Sequence, residues 1–454
     1  MQPVLTVAEM AEVDALARRS VAVEALIERA GRAVAREARR MLGGTYGRRV
    51  VVVAGKGHNG DDGRVAAHRL TAAGARVLLV DAREAPRSLP PCDLVVDAAY
   101  GTGFAGEYRA PVASAPVLAV DIPSGVMGDT GEASPEAVRA DVTVTFVALK
   151  PGLLLGEGRA RAGQVRVADI GLDASDATAH RLEDADLAAL PTRPPEAHKW
   201  QTALAVVAGS PGMMGAARLC SRAAMRAGAG MVRLGVPGAE GRDLPAGEVV
   251  AQPLPAARWE RTVLDALKRC RALAVGPGLG RSEEALDAVR AVVTAAERPV
   301  VVDADGLAAL GERAAAAAVL APRPLPAVVT PHEGEYAVLA RSPVGPQRLA
   351  DVRRLARDLG AVVLLKGSTT VISDPGGAAF FVTAGGPRLA TAGTGDVLTG
   401  ILGAFLARGV PPLLAAGLAA HAHGSAAALG PAEGLVAGDL LDLLPRYLSA
   451  AGGG

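Results

Sequence analysis

Four residues near the C-terminus, Gly393-Thr394-Gly395-Asp396, stand directly before an apolar run from Val397 to Leu406. Two glycines so placed let several backbone N–H groups converge on one point, and the positive end of the following helix adds to them. Such a cradle stabilises a phosphoryl group in flight, where losing one donor typically costs ~3 kcal/mol of transition-state stabilisation. Asp396 beside it has the chemistry of a general base for an attacking hydroxyl. An isolated Gly-Asp pair would serve as well for capping a helix; the flanking glycines and the apolar helix favour catalysis.

Further clusters of small and polar residues precede this one. They are Gly209 to Ala216, Gly276-Pro277-Gly278-Leu279-Gly280, Asp303-Ala304-Asp305-Gly306-Leu307, Thr330-Pro331-His332-Glu333-Gly334-Glu335 and Lys366-Gly367-Ser368-Thr369-Thr370. The N-terminal half carries its own set: Gly55-Lys56-Gly57-His58-Asn59-Gly60-Asp61-Asp62-Gly63, Asp97 to Gly106, and Asp121-Ile122-Pro123-Ser124-Gly125. The glycine-rich segment lacks the GK[ST] ending of a Walker loop and is not a clean GxGxxG. One aspartate after a strand is often only a helix cap; three oxygen-bearing segments together favour a site. His332 has no partner at metal-ligand spacing. His421 and His423, two apart, would face different sides of one helix and suit core or helix-end roles.

These clusters need elements to bring them together. Val-rich runs at Arg49–Ala54, Arg76–Val80, Leu94–Val96, Val117–Val120 and Val142–Phe146 read as strands, after an opening helix from about Ala8 to Met41 with a break near Ser20. In the second half the strand candidates are Ala203–Ala208, Ala272–Val275, Val300–Val302, Ala327–Val329 and Val362–Leu365. Apolar strands alternating with helical stretches predict parallel sheets buried on both faces. The fold class expected is therefore α/β, two doubly wound domains with ligands at the carboxyl ends of the strands. The acidic segment Glu183-Asp184-Ala185-Asp186 and the Pro-rich stretch Pro191–Pro195 read as the linker, dividing the chain into 1–190 and 195–454.

Composition narrows the function class. Half of the 454 residues are apolar, which excludes a largely disordered chain, while aromatics are only 3%. Base-stacking platforms for single-stranded nucleic acid are therefore not expected. The net charge is +1, from 48 basic against 47 acidic residues, so no basic field invites nucleic acid or a membrane surface. A length prior of ~150 residues per domain suggests about three domains. Cys92, Cys220 and Cys270 lie far apart, as in a reducing compartment. Glu9, Glu12 and Asp14 stand where a signal peptide would be basic or apolar, and a soluble, cytoplasmic protein is expected. The charge-free stretch Gly409–Ala432 contains three prolines and suits a buried helix rather than a membrane span.

The N-terminal motifs resemble the NAD(P)H-hydrate epimerase family, a Rossmann-like domain. Ala8 to Asp14 and Leu26 to Gly31 are similar to its opening helices, and its NNxxD element aligns with His58-Asn59-Gly60-Asp61-Asp62. His58, Asp61 and Arg29 depart from the family pattern. The resemblance implies K+ held by Asn59, Asp97 and Ser124. It implies dinucleotide binding by His58 to Asp62 and by Gly101, Thr102, Gly103, Phe104, Ala105, Gly106 and Glu107, and implies that Asp121 contacts substrate and handles the proton.

From about residue 195 to 448 the motifs, with His198-Lys199, His423-Gly424 and Ala437-Gly438-Asp439-Leu440, resemble the ribokinase-like, ADP-dependent NAD(P)H-hydrate dehydratases. That resemblance implies repair of hydrated NADH or NADPH: one half epimerises the R and S hydrates, and the other dehydrates the S form at the expense of ADP with Mg2+. By the same resemblance Ala216, Gly278, His332 and Asp396 contact the hydrate, and Lys366, Gly367, Ser368, Thr369, Thr370 and Gly395 the nucleotide. A homo-oligomer without nucleic-acid or membrane partners is expected. The alternative is a ribokinase-like small-molecule kinase whose N-terminal domain is a regulatory or assembly module.

Overall fold

The computed structural model describes residues 1–245 and 247–451. It divides into two compact units, Gln2–Ala179 and the chain from His180 onward, so two units rather than three account for the length. The division falls ahead of the Pro-rich stretch. Residues 180–190 belong with the second unit, where Tyr447 Oη donates to Asp184 Oδ1 at 2.6 Å and His421 Nε2 lies 2.8 Å from the same oxygen.

In the first unit Thr6 opens helix Val7–Ala17 with a capping box to Glu9, and a break at residues 18–22 precedes helix Val23–Leu42. An all-parallel sheet follows in the order Arg76–Asp81, Arg49–Ala54, Leu94–Ala98, Val117–Val120, Val142–Phe146, Gln164–Ala168. The sequence expectation lacked the last of these strands. Val50, Val52, Leu94 and Val96 bury one face of the sheet under helices Val23–Leu42 and His58–Ala72. Their neighbours Val51, Val53 and Val95 point the other way, into a cluster closed by Leu89, Phe104, Tyr108 and Val138 from irregular segments. Strand order reverses between Arg49–Ala54 and Leu94–Ala98. The crevice outside the carboxyl ends at such a reversal is where α/β sheets bind ligands.

The second unit's sheet runs Ala379–Val382, Thr370–Ser373, Val362–Leu365, Val328–Val329, Val300–Val302, Ala272–Val275, Ala203–Val207, Met231–Pro237, Val250–Leu254. It is parallel except for the hairpin Thr370–Ser373 and Ala379–Val382. Leu204, Val206, Ala272, Ala274 and Val301 face the helices Met214–Arg226, Thr394–Ala407 and Pro412–Ala428. The alternate residues Ala205, Val207, Leu273, Val275, Val300 and Val302 are equally buried, so both faces are covered. Helix Pro412–Ala428 is largely buried, as the charge-free stretch suggested. Among the described residues no helix is long and apolar enough to cross a membrane.

Candidate functional site

In the first unit a cavity of about 530 Å³ opens at the strand-order reversal. Its walls come from the helix residues Met10, Asp14 and Leu26, the turn Gly55–Asn59 with Asp62, the loop Ala99–Phe104, and Asp121 with Lys150. Asp121 follows strand Val117–Val120 in the left-handed region, φ 67°, a conformation costly for any residue but glycine and frequent at functional sites. Its Oδ2 accepts from Thr102 N at 3.0 Å and Thr102 Oγ1 at 2.6 Å, and its Oδ1 accepts from Lys150 Nζ at 2.7 Å and Thr145 Oγ1 at 3.2 Å. Burial alone would raise the Asp121 carboxyl. The Lys150 charge, with hydrogen bonds from Lys150 and Thr102, overcomes that and holds it below the usual carboxylate range.

The structure sorts the other candidates. Asn59 lines the cavity, and its buried amide nitrogen has no hydrogen-bond partner. His58, Gly101, Thr102, Gly103 and Phe104 also line it, while Ala105, Gly106 and Glu107 are exposed outside it. Gly60 is buried where a Cβ would lie 2.0 Å from Gly55 O, so it serves the close approach of helix to strand end. Asp61 turns to Arg64, whose Nη1 donates to it at 3.1 Å, with His58 Nδ1 3.9 Å away; its charge is thus offset. Asp62 is buried on the helix His58–Ala72 and lines the cavity.

Asp97 and Ser124 form a buried pair beneath the loop. Ser124 donates through N to Asp97 Oδ2 at 2.8 Å and through Oγ to Oδ1 at 2.7 Å. Burial pushes the Asp97 carboxyl up to about 6, against the lowering effect of Ser124 and Ala99. Asp97 and Ser124 thus bring carboxylate and hydroxyl oxygens together, among the described residues no cationic side chain is paired with Asp97, and hard oxygen donors of this kind could hold a cation. Lys150 is the residue whose importance the sequence reading missed. It is 1% exposed and also donates to Thr145 Oγ1 and Phe146 O. A signal was present: it is the lone charge between Asp141 and Glu157.

The second unit builds its site around the turn Gly393–Asp396. Gly393 is the N-cap with φ 88°, open only to glycine without strain, and the helix begins at Thr394 rather than at Val397. Asp396 thus lies in the first turn. A side chain at Gly395 would meet Lys366 Nζ at 3.8 Å and Asp303 Oδ2 at 3.9 Å, so both groups flank the turn. Asp303, 1% exposed at the end of strand Val300–Val302, accepts from Lys366 Nζ at 3.0 Å and from Thr399 Oγ1 at 2.6 Å. Lys366 lies 3.7 Å from Glu335 Oε2 as well. Burial would lower the Lys366 ammonium, but Asp303 and Glu335 outweigh it and raise it. The Asp396 carboxyl is pushed up to about 6, first by burial and then by Asp303, with Lys366 opposing.

Of the remaining candidates, His332 caps helix Glu333–Ala340: its Nδ1 accepts from Gly334 N and Glu335 N at 3.0 and 3.2 Å, while the ring stays largely exposed. Ala216 and Gly278 abut, a Cβ on Gly278 falling 2.9 Å from that of Ala216. Gly367 and Ser368 are exposed at the hairpin turn, Thr369 is buried, and Thr370 begins a strand. Arg348 holds this turn through Lys366 O at 3.0 Å and pairs with Glu333 at 2.6 Å. His423 is buried behind the glycine turn with a hydrogen bond to the Thr394 backbone; burial lowers it to about 4. Asp303, Glu335 and Thr399 had no role in the sequence reading, although the clusters at 303–307 and 330–335 pointed to two of them.

A family model described as NAD(P)H-hydrate dehydratase matches residues 204–449, and one described as YjeF-related protein N-terminus matches 23–89 and 81–152. The bifunctional NAD(P)H-hydrate repair enzyme Nnr of Moorella thermoacetica is 36% identical over 98% of this chain and 96% of its own. Among solved structures, the Bacillus subtilis ADP/ATP-dependent NAD(P)H-hydrate dehydratase co-crystallised with ATP/Mg2+ is 31% identical. Its TM-score is 0.50, over 60% of this chain and 98% of its own. A ribokinase-like superfamily protein of Enterococcus faecalis, 22% identical with a TM-score of 0.54 over 60% of this chain and 96% of its own, shares the fold. With an epimerase unit ahead of a dehydratase unit, the chain belongs to the bifunctional NAD(P)H-hydrate repair enzymes.

Proposed function

We propose that the second unit dehydrates the S hydrate at the expense of ADP, with Asp396 as the base. The observation that carries this is Asp396 in the first turn of a glycine-opened helix, beside a lysine fixed by two carboxylates. ADP, when bound with a divalent ion, supplies the phosphoryl group that makes the added hydroxyl a good leaving group. Asp396 accepts the hydroxyl proton, and Gly393 to Gly395 direct backbone N–H groups at the transferred phosphoryl group. Lys366 and Gly395 lie beside the nucleotide phosphates, with the exposed turn Gly367–Ser368 and the neighbouring Thr369 and Thr370 completing that wall. Ala216, Gly278 and the exposed edge of His332 meet the hydrate. A divalent ion such as Mg2+ would be carried on the diphosphate oxygens and neutralise their charge.

In the first unit the dinucleotide occupies the cavity, Asp121 contacts the substrate and takes its proton, and Asn59, Asp97 and Ser124 hold K+. The chain works in the cytoplasm as a homo-oligomer, the free Cys92, Cys220 and Cys270 being consistent with a reducing compartment.

Given ADP and a mixture of R and S hydrates of NADH, the full chain is expected to return NADH from both epimers. Build-up of a phosphorylated hydrate without NADH would instead make it a small-molecule kinase. At saturating ADP, kcat for dehydration is expected to rise with pH through a limb near 6, as Asp396 loses its proton, and then level off. Lys366→Met removes the charge that favours the ionised form, so the limb should move to higher pH. A limb that stays in place in this variant would assign the titration to another group.

A further inference from the structure

The first unit's cavity holds more acid–base groups than binding a dinucleotide requires. Asp14, Asp62 and Asp121 all line it, with the buried Lys150 among them. Lys150 is committed to Asp121 and Asp61 is taken up by Arg64, while burial raises the half-buried Asp14 carboxyl and Arg18 partly offsets it. Asp62 is more deeply buried than Asp14, 8% exposed, and among the described residues no cation or hydrogen-bond donor is paired with its carboxyl.

We propose that Asp62 is the general acid of epimerisation, giving its proton to the added hydroxyl as the C–O bond breaks. This rests on the first unit being the epimerase of the family. Burial is the main influence on Asp62, and the nearby Asp121, Asp61 and Asp14 add to it, pushing its carboxyl up to about 8. Asp121 is held ionised in the same cavity. Two carboxyls driven apart in this way divide the acid and base roles between them.

The chemistry balances with these groups alone. Water adds to the reduced ring at the carbon next to the ring nitrogen, because the nitrogen lone pair stabilises positive charge there. As Asp62 protonates the hydroxyl, the C–O electron pair leaves with water and the nitrogen lone pair forms a C=N bond to a now planar carbon. The Asp121 carboxylate stabilises the cation so formed. Water then adds to the opposite face: a C–O bond forms, the C=N pair returns to nitrogen, and the proton passes to Asp121. Return of that proton to Asp62 resets the site.

The test uses the full chain without ADP, so that dehydration does not run. Pure R hydrate is supplied, and the S epimer is followed by chromatography across pH. Wild type is expected to show a limb near pH 8 above which kcat falls, as Asp62 loses its proton. Asp62→Asn is expected to lower kcat by ~10²–10⁴-fold with KM little changed, to lose that limb, and to be partly rescued as Asp62→Glu. An unchanged kcat, a raised KM with kcat intact, a persisting limb, or Asn and Glu variants equally inactive would each overturn the acid role. Wild type no faster than buffer would overturn the epimerase assignment itself, which separates the two failures.

Discussion

Asp396→Ala is expected to lower ADP-dependent dehydration of the S hydrate by roughly 10³-fold while leaving ADP binding nearly intact. The split follows from what each neighbour does. Lys366 keeps its position in the variant, because Asp303 and Glu335 hold it independently of Asp396. The backbone N–H groups of the glycine turn are also retained, since Gly393 takes its left-handed conformation through its own lack of a side chain. What disappears is the proposed acceptor for the hydroxyl proton. The helix should survive: a carboxylate in a first turn contributes only ~0.3–1 kcal/mol through the helix dipole. Isothermal calorimetry with ADP and a rate assay on pure S hydrate check both halves of the expectation. Joint loss of binding and activity would assign Asp396 a structural or metal-holding role instead.

How far the site could be read in advance depended on the range of its interactions. The glycine turn at 393–396, the aspartates at 97 and 121 and the cluster that contains Asp303 were legible because each lies at the carboxyl end of a strand or the start of a helix, where local sequence dictates the backbone. The partners of those aspartates were not. Thr399 reaches Asp303 across 96 residues, Lys366 reaches it across 63, and Lys150 reaches Asp121 across 29. No local periodicity encodes such pairings; they exist only once the strand order is set.

The strands overlooked have physical reasons of their own. Val250–Leu254 lies at the sheet edge and carries Pro253, a residue tolerated there because an edge needs fewer donors. Met231–Pro237 mixes Arg233 and Gly235 into its apolar run. Thr370–Ser373 begins within the cluster read as a nucleotide loop, so the turn and the hairpin strand shared one stretch of sequence. The departures at His58 and Asp61 are accommodated by position: the imidazole is largely exposed, and the Asp61 carboxylate is turned to Arg64.

Lys150→Met is expected to remove epimerase activity and to destabilise the first unit by roughly 3–5 kcal/mol, the usual consequence of leaving one partner of a buried pair uncompensated. Asp121 would then keep Thr102 and Thr145 as donors but lose the ammonium that offsets its burial. Adding Asp121→Asn to Lys150→Met should regain most of the stability, because no buried charge is left unpaired, while the activity stays absent. The pH dependence has a definite sign. In wild type the folded Asp121 carboxyl titrates below its ordinary value, so its contribution is complete above the unfolded pKa of ~3.9 and is lost as pH falls through the folded one. In Lys150→Met the same carboxyl is raised by burial, so acid protonates it and removes the unpaired charge. The gap in unfolding midpoint between wild type and variant should therefore narrow as the pH is lowered. Denaturant unfolding at several pH values measures that gap, and a gap independent of pH would show that Lys150 stabilises the unit through packing of its aliphatic stem rather than through Asp121.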